Sequence, residues 1–132
     1  RSGIGTVVLD ARRGICPPAA VHYTFPALVT SAKLIEKDPE SVRAAIRAIV
    51  KVQKALKEDP SRATAVGEKL FPAMEASMIA GLIERDLPFY DPMISEDKVN
   101  GMNGFAKEIG LLTETVTYDQ VVATEFISLW TE

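Results

Sequence analysis

Few side chains in this sequence have chemistry to offer. It holds one histidine, His22, and one cysteine, Cys16. A histidine acting as a general base needs a nucleophile within reach and a partner that fixes its tautomer. No HExxH, GxSxG, phosphate-loop or EF-hand pattern accompanies His22, so it reads as a packed or half-exposed neutral side chain. A single cysteine excludes an internal disulfide and a cysteine-rich metal site. Arg12 and Arg13 lie near it and could lower a thiol pKa, but no surrounding motif makes it more than an inert thiol.

The remaining candidates have plain structural explanations. Asp86 and Asp91 flank a proline-aromatic loop and read as loop caps rather than an acid/base pair. Met74, Met78, Met93 and Met102 are spread over helices and loops, as core filler is, rather than gathered as a thioether metal site. Gly101-Met102-Asn103-Gly104 falls inside an expected helix, where close packing explains the glycines better than nucleotide binding. Residue chemistry alone gives no catalytic residue, no metal site and no cofactor. It describes a binding or structural part, not an enzyme.

The elements that would position these residues divide into two stretches. In 1–37, the strand-rich segment, Thr6 to Ala11 favours a strand closed by the turn-prone Arg13-Gly14. Ile15 to Pro18 is an extended connector, and a second strand is expected at Ala20 to Thr24, with Pro26 breaking it and Ala27 to Thr30 resuming it. In 38–132, the helical segment, the apolar period changes from two to about 3.6.

Asp38 caps the first long helix, Pro39 suits its first position, and Val42, Ala45, Ile46, Ile49, Val52 and Leu56 form its inward stripe. Arg43, Arg47, Lys51, Lys54 and Lys57 read as a solvated face. Asp59-Pro60 opens a second helix with Ala63, Val66 and Leu70 inward, and a third runs from Ala73 to Asp86 on Met78, Ile79, Leu82 and Ile83. Ser95 caps a fourth that ends at Gly110, and Thr117 to Gln120 has the capping-box pattern that opens the last, with Val122, Phe126, Leu129 and Trp130 apolar.

The expected fold class is therefore α/β, two short strands followed by about five helices. Two strands are marginal as a sheet, so an exposed edge would invite self-association through pairing with another copy.

With 132 residues, 47% apolar, 25% charged and a net charge of -3, the chain has the composition of one ordinary globular domain. The acidic balance and scattered basic residues exclude a nucleic-acid partner of the usual phosphate-binding kind. No apolar run reaches the roughly 20 residues of a membrane-spanning helix. The first residue is Arg, and neither a start methionine nor a signal-like run follows, so 1–132 reads as a single fragment of a longer protein.

Three phrases carry a resemblance. Pro26-Ala27-Leu28-Val29-Thr30-Ser31 leads to Asp38-Pro39-Glu40-Ser41-Val42-Arg43-Ala44, and Ala55-Leu56-Lys57-Glu58-Asp59-Pro60 follows. Together with Val7 to Arg12 upstream, they resemble the C-terminal part of ABC-transporter periplasmic solute-binding proteins of the nitrate/sulfonate/taurine type. There a strand ending in an Ala-Leu-Val phrase precedes a helix opened by Asn-Pro-Glu, then an Asn-Pro turn and another helix. This chain has Asp where that pattern has Asn.

The resemblance implies a C-terminal lobe portion of a two-lobed periplasmic-binding fold of type II. Such a protein binds a small organic molecule or anion in an interlobe cleft and passes it to ABC permease subunits, in the periplasm or on the outer side of the membrane. By position, the ligand-facing candidates are Tyr23, Thr24 and Phe25, the first two as hydrogen-bond donors and the third as a stacking surface. Strand alternation would put Thr24 on the face opposite Tyr23 and Phe25.

Two alternatives stand beside this. One is a helical protein-interaction module, suggested by the repeated Asp-Pro helix starts. The other is a thiamine-pyrimidine synthase-like enzyme, a branch of the same family that uses pyridoxal phosphate and iron; Cys16 alone does not match its cysteine-rich motif.

Overall fold

The computed structural model describes residues 4–23 and 26–132, with the backbone alone at Arg12 and at 73–77. Its order is a 3-10 turn at Ala11–Arg13, a 3-10 helix at Pro18–His22, then α1 (Ala32–Lys37), α2 (Pro39–Glu58), α3 (Arg62–Leu70) and α4 (Ala73–Asp86). A 3-10 turn at Leu87–Phe89 follows, then α5 (Glu96–Glu108), α6 (Tyr118–Val121) and a 3-10 helix at Thr124–Thr131.

The described residues form an all-helical fold with no strand, which corrects the α/β expectation of two short strands before about five helices. What remains of the first strand is one antiparallel bridge, Asp10 to Ile15, closed by Gly14 at φ 72°. The bridge goes no further because Pro17 would face Val8 at the next hydrogen-bonded pair, and a proline brings no N–H. Pro18 then opens the 3-10 helix Pro18–His22, a first-turn position where a fixed φ helps. That helix occupies most of the second expected strand, and residues 27–31 carry no regular structure.

The chain forms two compact units, Arg1–Ala27 with Ile94–Thr124, and Leu28–Met93 with Glu125–Glu132. In the second, Ser31 caps α1, which the sequence reading passes over, by accepting the Leu34 N–H at 3.2 Å. Asp38 ends α1, its N–H bonding Leu34 O at 2.8 Å, and at once starts α2. Its carboxylate accepts the Ser41 N–H at 3.1 Å and the Ser41 hydroxyl at 2.6 Å. One residue thus serves both helices, and the chain turns without a linker.

The Asp59-Pro60 joint behaves differently from the expected cap. Asp59 Oδ1 accepts from Ser61 N–H at 3.0 Å and from Ser61 Oγ at 2.6 Å, forming a local turn, and α3 starts only at Arg62. α3 and α4 pack as a pair joined at Phe71-Pro72, with Gly67 of α3 buried.

The buried side of α2 is also rotated from the expected stripe. Val42 and Val50 are buried, whereas Ile49 and Val52 lie open to solvent. Val50 is flanked along the helix by Arg47 and Lys54, and these reach the C-terminal segment. Arg47 Nε donates to Glu132 Oε2 at 2.8 Å, Lys54 Nζ donates to the Thr131 carbonyl at 3.4 Å and to that of Glu132, and the Arg43 guanidinium lies 5.4 Å from the Phe126 ring centroid. Phe126 and Leu129 are buried. The basic face read as solvated is therefore in part a clasp for a distant segment.

Candidate functional site

The first unit holds the one sequence-predicted ligand residue that is described. Tyr23 ends the 3-10 helix Pro18–His22 in extended geometry, φ -72° and ψ 136°, its N–H bonding Ala20 O at 3.3 Å. Thr24 and Phe25 lie outside the described residues. The half-buried Tyr23 ring meets Phe105 of α5 with centroids 5.2 Å apart and planes tilted by 55°. A tilted pair of this kind sets the positive edge of one ring near the negative face of the other, adding about 0.5–1.5 kcal/mol beyond burial. The sequence gives no sign of this pairing, because a ring contact between distant segments leaves no periodic signal.

The 3-10 helix approaches α5 at its glycine. A Cβ built on Gly101 would lie 2.8 Å from His22 Cβ and 3.0 Å from His22 O, so only a glycine lets the two backbones come this close. Packing is thus the role of Gly101, as the Gly-x-x-Gly reading expects, while a Cβ on Gly104 would meet nothing within 4 Å. His22 is otherwise exposed and meets the helix through its backbone and Cβ.

α5 is itself fixed by local and long-range bonds. Ser95 Oγ caps it by accepting the Lys98 N–H at 3.3 Å, and Gly110 at φ 76° closes it. Asn103, buried among apolar neighbours in the sequence, uses both ends of its amide. Nδ2 donates to Val116 O at 2.8 Å and Oδ1 accepts the Val116 N–H at 3.0 Å, so the side chain stands in for a neighbouring strand. Lys107 reaches the Thr115 hydroxyl in the same loop. Beyond it Thr117 and Gln120 form the capping box of α6, and the Tyr118 hydroxyl donates to Ile94 O at 2.6 Å. Asn103 is the residue fixing the loop after α5 that sequence reasoning missed; its signal is a carboxamide at an inward helical position between Met102 and Phe105.

The result is a tyrosine whose ring is pinned on one side and whose phenol can donate and accept one hydrogen bond each way. Such a group suits a planar or oxyanion-bearing small molecule: aromatic surface for contact and one polar tip for orientation. The other sequence candidates do not join it. Cys16 is half-buried and reduced, Asp91 Oδ1 accepts the Met93 N–H at 2.9 Å in its own loop, and Asp86 takes a two-point pair from Arg85 at 2.8 and 2.9 Å. Among the described residues no three His, Cys, Asp or Glu side chains gather as a metal site, and no helix is long and apolar enough to cross a membrane. The side chain of Met74 lies outside the described residues.

Comparison of the chain with family models, with curated proteins and with solved structures finds no match in any of the three.

Proposed function

We propose that the chain is the C-terminal part of the solute-binding component of an ABC-type importer, taking a small organic molecule or anion. Tyr23, followed by Thr24 and Phe25, is the ligand-facing segment, and delivery would be to permease subunits from outside the cytoplasmic membrane. The observation that carries this reading is the coincidence of phrase and boundary. Pro26 to Ser31 ends on the Ser31 cap of α1, Asp38-Pro39-Glu40-Ser41 forms the capped start of the 20-residue α2, and Asp59-Pro60 forms the turn before α3. The reading rests on these phrases and on the chemistry of Tyr23, and not on a sheet, which the described residues do not form.

The test is a thermal-shift screen of the protein against sulfonates, aromatic acids and pyrimidines. A solute at 100 times its dissociation constant stabilises by about 2.7 kcal/mol, readily seen as a raised melting temperature. A binding solute should lose affinity for Tyr23→Phe, which keeps the Phe105 contact and removes only the hydroxyl. No shift with any of these classes overturns the reading.

A helical protein-interaction module is the second reading, favoured by apolar side chains left open on three helices: Ile49 and Val52 of α2, Leu70 of α3 and Leu82 of α4. It predicts a helical polypeptide ligand and no response to small solutes.

A further inference from the structure

Residues 4–9, Ile-Gly-Thr-Val-Val-Leu, hold no charge and no proline, and four of the six are β-branched. That is the composition of a strand that pairs readily. Yet Ile4 is 91% exposed, Val7 76%, Val8 78% and Leu9 67%, and the segment makes no backbone hydrogen bond with any described residue.

The reason lies at its C-terminal end. Asp10 and Ile15 exchange both backbone bonds, Asp10 N to Ile15 O at 2.8 Å and Ile15 N to Asp10 O at 3.0 Å. This fixes the register of any further ladder: Leu9 would face Cys16, and Val8 would face Pro17. The pair after a hydrogen-bonded one is unbonded, so the next bonds fall on Val8 and Pro17, where the donor is missing. The arm then leaves as the helix Pro18–His22. Proline therefore blocks pairing on the inner edge, formed by the even-numbered residues, and leaves the outer edge formed by Gly5, Val7 and Leu9.

We propose that this outer edge pairs with the same residues of a second copy, antiparallel, about a two-fold axis at Thr6. A two-fold between adjacent antiparallel strands runs perpendicular to the sheet, so one residue must face itself. With Thr6 there, Gly5 and Val7 of opposite copies exchange backbone bonds on either side, and Ile4 faces Val8. The sequence suits this register at each position: apolar faces β-branched at the ends, two threonines meet at the centre, and no charge is brought against a like charge. Val7 to Leu9 also belong to the phrases behind the solute-binding reading, but the test needs no ligand, so failure of the pairing and failure of that reading are distinguishable.

The test is sedimentation velocity of the 132-residue chain over a concentration series, joined to cysteine trapping. A two-stranded pair is marginal by itself, so a weak dimer growing with concentration is expected. Val7→Pro deletes a bonded N–H from an exposed position, and Thr6→Lys sets two like charges face to face. Each should weaken the dimer by about tenfold or more, with far-UV circular dichroism unchanged.

In a Cys16→Ser background oxidised with glutathione disulfide, Thr6→Cys should cross-link the copies, because facing residues at an unbonded pair lie within disulfide reach. Gly5→Cys should cross-link far less, since it faces Val7. A chain that stays monomeric at every concentration, a dimer indifferent to Val7→Pro and Thr6→Lys, or equal cross-linking at positions 5 and 6 overturns the proposal.

Discussion

Arg47 Nε donates to Glu132 Oε2 at 2.8 Å and so joins residues 85 positions apart in the chain. The bond closes the second unit, bringing the last 3-10 helix, Thr124–Thr131, against the flank of α2. Both groups are exposed, so the pair orients the segment more than it anchors it. The anchor is Phe126, 2% exposed beneath the Arg43 guanidinium.

The division between anchor and guide gives the first expectation. Phe126→Ala should destabilise the protein by about 3–5 kcal/mol, the usual cost of removing a buried aromatic ring. Arg47→Ala and Glu132→Gln should each cost far less, and the double variant no more than the larger of the two. Urea unfolding of the four variants measures this directly, and a loss at Arg47 equal to that at Phe126 would reverse the assignment.

Acid should loosen the same clasp. Arg47, by its hydrogen bond and then its charge, holds the Glu132 carboxyl below its ordinary value of 4.5. Ser41 and Ser61 hold Asp38 and Asp59 below their ordinary 3.8, the side-chain hydrogen bond being the larger cause in each. A carboxyl whose folded pKa is lowered contributes stability that is present above its unfolded value and lost as pH falls through the folded one. The melting temperature should thus be level at neutral pH and begin to fall below 4.5. Glu132→Gln should remove the earliest part of that fall, with the steeper part below 3.8 left to the two aspartates.

Asn103 is 5% exposed and satisfies both backbone groups of Val116. Asn103→Leu fills the space but strands an N–H and a carbonyl, so a loss of about 1–3 kcal/mol is expected for each group that stays dry. Asn103→Asp keeps the acceptor for the Val116 N–H and should fall between the two. Amide hydrogen exchange at Val116 reads the lost bond itself: protection should vanish in the leucine variant and survive in part in the aspartate one.

The two glycines of α5 should respond in opposite senses to one substitution. Gly101→Ala drives a Cβ into the His22 backbone and should cost about 1–3 kcal/mol, overriding alanine's better helix propensity. Gly104→Ala meets nothing within 4 Å and should stabilise by up to about 1 kcal/mol. Thermal melts of the two variants settle the comparison, and destabilisation by both would show that the close approach is not what selects Gly101.

Much of the helical segment is legible because helix ends are local events. Asp38, Ser95 and the Thr117 to Gln120 box reach backbone groups three residues away, and Gly110 closes α5 through its own φ. Of the candidate site the sequence offered only an expectation, the segment Tyr23-Thr24-Phe25, of which Tyr23 alone is described. Its pinning on Phe105 and the Asn103 tie to Val116 depend on contacts that no local period encodes.

The sequence by itself determined the capped starts of α2, α5 and α6, that Val122, Phe126 and Leu129 turn inward, and that Gly110 ends α5 in a left-handed turn, but not α1, the Pro18–His22 helix or the start of α3. Only the tertiary structure decided that Thr6 to Leu9 stays unpaired, since β propensity is realised only when a second backbone arrives with donors, and Pro17 arrives without one. It also decided that α2 buries Val50 and leaves Ile49 and Val52 open. A helix stripe says which side chains favour burial, whereas the segments packed against the helix decide which of them are buried.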